Sequence, residues 1–301
     1  MSHNLIVVLG PTAVGKTKFA VQLARKFGGE IISADSRQVY KSMDIGTGKD
    51  LSEYKYQNSS IPYHLIDIIE PTEEYNLYQF QKDFLSCFEQ VSNRQKIPFL
   101  VGGTGLYIHS LLMDYNLVEV DFNSERGLFL SNLEVNELQR ILSNLQPNLH
   151  NTTDLIDKQR IIKAILIAEN MKIDSSTRLR LNPLVIGITE DRNIIKSRIT
   201  LRLKTRLKSG MIEEVEQLVK NGISYEKLDF FGLEYRFIGK YLKGELNYND
   251  MYQKLNSSIH QFSKRQMTWF RKMEREGVKI NWFSFDDFEN AENLISNFLR
   301  K

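Results

Sequence analysis

An α/β fold, with a parallel sheet core covered by helices on both faces and a helical insertion domain, follows from three features of the 301-residue sequence. Short apolar strands alternate with helical patterns through the first third. A glycine-rich turn joins the first strand to the first helix. The strand signal then vanishes between about 114 and 186, before a last buried strand restores it. Strands separated by helices must be joined by crossovers, which make neighbouring strands parallel and bury both faces of the sheet.

The first strand is LIVVL (5–9), which runs directly into Gly10-Pro11-Thr12-Ala13-Val14-Gly15-Lys16-Thr17. Glycines at this spacing let the chain wrap so that successive backbone N–H groups face an anion. Lys16 adds a point charge, and the Thr17 hydroxyl is placed to sit on a Mg²⁺ that bridges phosphate oxygens. The helix over 16–27, apolar at Phe19, Ala20, Leu23, Ala24 and Phe27, aims the positive end of its dipole at the same point. The core is thus predicted to be P-loop NTPase-like, although the loop does not say which phosphorylated molecule it holds.

EIISA (30–34) and HLIDI (64–68) read as the next strands, NLYQFQKDFLSCFEQVSN (76–93) as a helix, and IPFLV (97–101) as a fully buried strand. In the insertion, NELQRILSNL sets Leu138, Ile141, Leu142 and Leu145 on one helical face. DLIDKQRIIKAILIAENM (154–171) forms a second helix beyond Pro147 and the polar stretch 148–154. LVIGI (184–188) returns to the sheet, so the core is assigned to 1–113 and 187–301 and the insertion to 114–186. Thr189 is the expected N-cap of a helix on which Arg198, Arg202 and Arg206 recur every four residues as one basic stripe. A final helix over about 248–275 is expected to bury Leu255, Ile259, Phe262 and Trp269. It carries His260, Lys264, Thr268 and Arg271 on an adjoining face.

Composition excludes several classes. No apolar run approaches the roughly 18 residues of a membrane helix, and no basic-then-apolar signal segment precedes the first strand. Cys87 is the single cysteine, which rules out an internal disulfide or a cysteine zinc site. It is expected to be a small core residue, and a cytoplasmic protein without membrane association is expected. His3, His64, His109, His150 and His260 show no metal-ligand spacing, and no Gly-x-Ser-x-Gly elbow supports a serine hydrolase. The net charge of +3 is small, but its basic excess is confined to residues 187–301.

Four polar clusters fall at the ends of core strands, where open parallel sheets bind ligands. Besides the phosphate loop these are Ser33-Ala34-Asp35-Ser36-Arg37-Gln38-Val39-Tyr40, then Gly102-Gly103-Thr104-Gly105, and the Arg198/Arg202 stripe. Asp35 could order Mg²⁺, accept a proton, or merely cap a helix. Gly-Gly-Thr stands where a motor or switch ATPase places an acidic metal-binding residue, which argues against that class.

GPTAVGKT, ADSRQVYKSMDIGTGK (34–49), PFLVGGTGLYIHSLL (98–112) and KRQMTWFRK (264–272), in this order and spacing, resemble the tRNA dimethylallyltransferase family. The resemblance implies transfer of a prenyl group from dimethylallyl diphosphate to N6 of the adenine at tRNA position 37, beside the anticodon. By position, the loop from Gly10 to Thr17 would hold the diphosphate and Mg²⁺, and Asp35 would be the general base. Thr104 would line the channel at the reacting centre, and Arg202 would bind the diphosphate. Asp35, Ser36, Arg37, Gln38, Thr104, Gln159 and Arg160 would meet the anticodon stem-loop, with its target base turned out into a channel between core and insertion. Lys163 stands where the family usually has an arginine, and His260 where an arginine precedes the Lys-Arg-Gln motif. The insertion reads about a dozen residues short. The basic C-terminal face, with Lys264, Arg265 and Arg271, would meet tRNA phosphates, and a monomer is expected. A P-loop small-molecule or nucleotide kinase would share the loop, the Mg²⁺ and the core but leave the GGTG turn and the basic helix unexplained. A non-enzymatic RNA-binding protein would leave the phosphate loop unexplained.

Overall fold

β1 (His3–Leu9) occupies the middle of the sheet because its residues from Leu5 to Leu9 are all fully buried, which only an interior strand covered on both faces allows. The computed structural model describes residues 3–56, 59–117, 119–145, 157–170 and 181–300. The chain leaves β1 through the phosphate loop into α1 (Lys16–Phe27), then forms β2 (Gly29–Ala34). Two antiparallel two-residue strands, β3 (Lys55–Tyr56) and β4 (Ser59–Ser60), precede the short edge strand β5 (Tyr63–His64). Helix α2 (Leu77–Asn93) starts at a capping box, with the Asn76 side chain accepting from Gln79 N–H at 3.1 Å and Gln79 returning the bond to Asn76 N–H at 2.8 Å. β6 (Ile97–Gly102) and α3 (Gly105–Leu112) follow.

HLIDI does not continue as a strand past His64. Leu65 and Asp67 both take positive φ, 60° and 56°, which breaks the extended chain and turns Asp67 onto the buried ammonium of Lys49. That ammonium also donates to the Tyr40 carbonyl and to Asp44 at 2.9 Å. A buried cation needs such partners.

Residues 114–179 form a separate compact unit, whereas residues from Arg180 onward belong with the first 113. The predicted boundary at 186 is therefore late: β7 runs from Leu181 to Ile188 and pairs with β1 from Leu181 to Gly187. Within this unit, α4 (Glu125–Ser131), α5 (Val135–Leu145) and α6 (Lys158–Asn170) share a core of Leu130, Leu138, Leu142, Ile161, Ile162, Ile165 and Leu166. Ile141 and Leu145 pack at its margin. Pro147, residues 148–154 and the first residues of the predicted 154–171 helix lie outside the described residues.

The chain then forms α7 (Arg192–Lys208), α8 (Met211–Lys220), α9 (Tyr225–Phe231), α10 (Leu233–Leu242) and α11 (Tyr248–Arg275). β8 (Ile280–Phe283) and α12 (Phe288–Leu299), neither of them predicted, complete the fold. The N-cap of α7 is Asp191, not Thr189: its carboxylate accepts from Asn193 and Ile194 N–H, while Thr189 N–H continues the sheet by bonding the Phe283 carbonyl at 2.9 Å. The sheet order is β5-β2-β6-β1-β7-β8, all parallel. Sequence runs from β1 to one side and later returns to the other, so the switch point lies at the end of β1. β6 separates β2 from β1. The Asp35 strand is thus next but one to the phosphate loop, and the GGTG turn is its immediate neighbour.

Candidate active site

The phosphate loop bends through two left-handed residues, Ala13 (φ 68°) and Gly15 (φ 88°), the latter capping α1. Gly10 is required at its start because a Cβ there would come within 2.5 Å of the Ile188 carbonyl oxygen on β7. Among the described residues nothing accepts from the N–H groups of residues Ala13 to Thr17, which leaves them open to an anion. Thr12 differs. Its N–H is already bound, at 2.8 Å, to Oε1 of the buried Gln266, whose Nε2 donates to the Gly103 carbonyl at 2.9 Å. Gln266 thereby ties the loop to the GGTG turn, and a Cβ at Gly103 would come within 2.3 Å of that amide and displace it.

Lys16 projects into a cleft of about 450 Å³ at the carboxyl ends of β1, β2 and β6. Burial pushes its ammonium down to about 8; Asp35 opposes the change and Arg202 adds to it. Arg202, on α7, donates to the Thr12 hydroxyl, and burial beside Arg206 lowers its guanidinium to about 10. Both therefore remain charged at neutral pH in a desolvated place, where each gains most from an incoming anion. The predicted stripe splits at this point: Arg202 and Arg206 line the cleft, whereas Arg198 is exposed and pairs with Glu190 at 3.7 Å. Arg206 lies 3.6 Å from Asp50.

Asp35, Ser36, Arg37 and Gln38 follow β2 as a turn on the opposite wall. Asp35 caps no helix: one carboxylate oxygen accepts from Arg37 N–H at 2.9 Å, and the other has no partner among the described residues. Thr104 braces this turn, its hydroxyl accepting from Ser36 N–H at 3.1 Å. Gln38 spans Ser33 and the Gly48 carbonyl, each at 3.2 Å. The guanidinium of Arg37 stacks over Phe230 at 4.7 Å.

The group that shapes the 44–48 segment has no local signature in the sequence. The carboxylate of Glu214, on α8, accepts from three consecutive backbone N–H groups, Asp44 (2.8 Å), Ile45 (2.6 Å) and Gly46 (3.0 Å), and from the Tyr235 hydroxyl at 2.8 Å. It lies 168 residues along the chain from Gly46, so no local spacing could reveal it. Gln266 and Glu234 are given no role by the sequence for the same reason, whereas Arg206 is named in the basic stripe but not placed at the site. Glu234 lines the cleft, and burial raises its carboxyl.

Lys264 and Arg271 lie exposed on α11, and Arg265 lines the cleft mouth. Phe262, expected in the core, is exposed, and Trp269 is half-buried; Ser263, Gln266 and Phe270 turn inward instead. Gln159, Arg160 and Lys163 are exposed on α6 in the 114–179 unit, where Asp157 caps the helix. Cys87 is only half-buried, since Phe84, Phe88 and Val91 fill the inner face of α2. His260 sits 3.4 Å from the Thr200 hydroxyl.

As a metal site, the cleft offers oxygen donors: Thr17 at the loop end, with Asp35, Asp50 and Glu53 among its lining. No group of three His, Cys, Asp or Glu side chains converges among the described residues. This set suits a hard cation completed by phosphate oxygens and water, as Mg²⁺ commonly is, and not a metal held by protein alone.

A family model described as IPP transferase matches residues 38–273, and one described as isopentenyl transferase matches residues 3–59. The tRNA dimethylallyltransferase 1 of Geotalea uraniireducens is 54% identical over 287 residues, covering 95% of this chain and 94% of its own. That of Geotalea daltonii is 53% identical over 300 residues, covering 99% and 96%. The crystal structure of the full-length tRNA isopentenylpyrophosphate transferase from Bacillus halodurans has a TM-score of 0.71 at 30% identity, covering 99% of this chain and 97% of that one. The two matched segments overlap and together run through every wall of the cleft, and the chain belongs to the IPP transferase family.

Proposed function

We propose that the chain transfers a dimethylallyl group from dimethylallyl diphosphate to N6 of the adenosine at position 37 of tRNA. The observation that carries the reading is the two-walled cleft. Open loop amides, Lys16 and Arg202 stand on one side, and the free carboxylate oxygen of Asp35 on the other. A diphosphate leaving group and a proton-losing amine need these two chemistries a few ångströms apart.

In this reaction the bond between the prenyl carbon and the diphosphate oxygen breaks as the N6–carbon bond forms. Charge grows on the diphosphate, where Lys16, Arg202 and the amides of Ala13 to Thr17 stabilise it without reorganising. The adenine amine donates its lone pair into the purine ring and is a poor nucleophile. As its bond to carbon forms its proton becomes acidic, and Asp35 takes it. Thr104 holds the Asp35–Gln38 turn in place through Ser36. Mg²⁺, held by Thr17 together with diphosphate oxygens, would add Lewis-acid neutralisation of the leaving group. The target base must leave its stack to reach the cleft, at a cost of a few kcal/mol.

A monomer as the acting unit is part of the same proposal. A cytosolic location belongs to the same proposal and rests on the RNA substrate and the single cysteine; among the described residues no helix is long and apolar enough to cross a membrane. The test is nucleoside analysis of tRNA before and after incubation with the protein, Mg²⁺ and dimethylallyl diphosphate. A new N6-dimethylallyladenosine is expected. Unmodified tRNA, together with phosphate transfer from ATP to a small metabolite, would establish a kinase instead.

A further inference from the structure

Phe262, Arg265, Trp269 and Lys272 follow one another along α11 at intervals of three, four and three residues, which puts all four on one stripe of the helix. The stripe alternates aromatic, cation, aromatic, cation. The Arg265 guanidinium lies 5.9 Å from the centroid of the Phe262 ring, and the Lys272 ammonium 4.9 Å from that of Trp269. Lys272 also stands 3.7 Å from Glu276. Phe262, Arg265 and Trp269 line the cleft, yet Phe262 is 39% exposed.

The core of the fold does not need this stripe. α11 packs inward through Met251, Leu255, Ile259, Ser263, Gln266, Phe270 and Met273, an adjoining arc centred roughly a quarter turn from the stripe. Trp269 is nonetheless held in one orientation. Gly105 lies so close beneath it that a Cβ there would come within 2.6 Å of Trp269 Cβ, and His109 meets the indole edge-on at 5.7 Å. A fixed ring and an exposed ring, each beside a cation, at the mouth of a polar cleft, match what an unpaired nucleotide requires. The base finds an apolar plane to stack on, and the phosphate finds a charge.

We propose that this stripe is a stacking track for the unpaired bases of the substrate RNA that flank the base entering the cleft, with Phe262 as its outermost platform. The inference rests on the RNA-prenylation reading and adds to it a contact made to bases, distinct from phosphate contacts by Lys264 and Arg271. Turning one base out of a loop breaks its stacking with both neighbours. A track at the cleft mouth restores part of that stacking where the opening occurs.

The experiment is equilibrium binding of an anticodon stem-loop RNA to the full-length protein across a salt series, with Phe262→Ala, Phe262→Leu, Phe262→Trp and Arg265→Gln alongside the wild type. KM for dimethylallyl diphosphate is measured on each. Phe262→Ala is expected to weaken RNA binding roughly 5- to 100-fold, as loss of a stacked base does, with the salt slope unchanged. Phe262→Trp is expected to restore binding and Phe262→Leu to leave it weak, since leucine fills the space but offers no aromatic plane. Arg265→Gln is expected to lower the salt slope by about 0.7–0.9. Wild-type binding in Phe262→Ala, or its full rescue by leucine, overturns the proposal. So does a raised KM for the prenyl donor with RNA binding unchanged, which would assign the ring to the prenyl pocket. If Phe262→Ala melts early, the leucine and tryptophan variants decide. Failure of the wild type to prenylate RNA would sink the underlying reading and is seen separately.

Discussion

Lys16 stays charged at neutral pH against the preference of its surroundings, because burial in the cleft favours the neutral amine. Its folded value of about 8 lies below the ordinary lysine range, so between about pH 8 and 10.5 the unfolded chain binds more protons than the folded one. Stability therefore rises with pH through that window, and the full penalty of the buried charge is present below it. Lys16→Met is expected to raise the melting temperature of the ligand-free protein at pH 7, a gain of about 1–3 kcal/mol, while sharply weakening diphosphate binding. In the wild type, kcat/KM for dimethylallyl diphosphate should fall as pH rises above about 8, and that limb should be missing from the Lys16→Met profile. Thermal melts and a pH series on both proteins check the two halves. Asp35→Asn keeps the shape of the turn but cannot take a proton. It is expected to cost roughly 10²–10⁴ in turnover with both substrates still bound. Recovery at high Mg²⁺ would make Asp35 a metal-ordering group. The cleft positions of these residues, and of Thr17, Thr104 and Arg202, were legible in the sequence because each stands in a local motif or at a helical spacing. Gln266 and Glu214 were not, since each earns its role from a partner more than 160 residues away.

At the scale of elements, the helical period explains why one predicted stripe does two jobs. Arginines every four residues drift around a helix of 3.6 residues per turn. On α7, Arg202 and Arg206 thus reach the cleft while Arg198 turns to solvent and Glu190. Arg202→Ala should cost about 1.5–3 kcal/mol of diphosphate binding or transition-state stabilisation, roughly 10- to 150-fold in kcat/KM, whereas Arg198→Ala should leave kinetics within a factor of two. Drift does not explain Phe262 on α11, which keeps an angular position between Met251 and Leu255 and is exposed because it borders the open cleft. Glu214 shows how a loop without regular structure is fixed. Three N–H groups and a phenol converge on its carboxylate, and the close approach of Tyr235 requires Gly46, where a Cβ would lie 2.6 Å from the ring. Glu214→Gln replaces one acceptor oxygen with an NH₂ that must face donors. The segment 44–48 should loosen, and with it Gln38, which donates to the Gly48 carbonyl. We expect a double-mutant cycle of Glu214→Gln with Gln38→Ala to show clear non-additivity in KM for tRNA, by 0.5–3 kcal/mol, roughly the range seen for residues sharing a network. Strict additivity would show that the two act apart.

At the scale of the whole molecule, the chain folds as two units, each with its own apolar core. The alternation of strand and helix made the larger unit legible, while β8 escaped notice because Ile280–Phe283 is only four residues long and includes Asn281. All the walls of the cleft belong to the larger unit, so diphosphate binding should depend on that unit alone. The smaller unit presents Gln159, Arg160 and Lys163 on the exposed face of α6, with Ile161, Ile162 and Ile165 turned into its core. Exposed cations on a helix lacking catalytic groups of its own suit contact with a polyanion, and the RNA is the polyanionic substrate in this reaction. Replacing Arg160 and Lys163 with glutamine should therefore raise KM for tRNA and flatten the salt dependence of RNA binding by about 0.7–0.9 log units per lost contact. Binding of dimethylallyl diphosphate, measured by its protection against thermal unfolding, should not change. Substituting surface positions on a helix whose core is untouched should also leave the melting temperature within about 1–2 °C, since such changes stay within about ±0.5 kcal/mol. An unchanged salt slope would show that this face of α6 is only solvated. A simultaneous loss of diphosphate protection would show instead that the two units are coupled through the cleft.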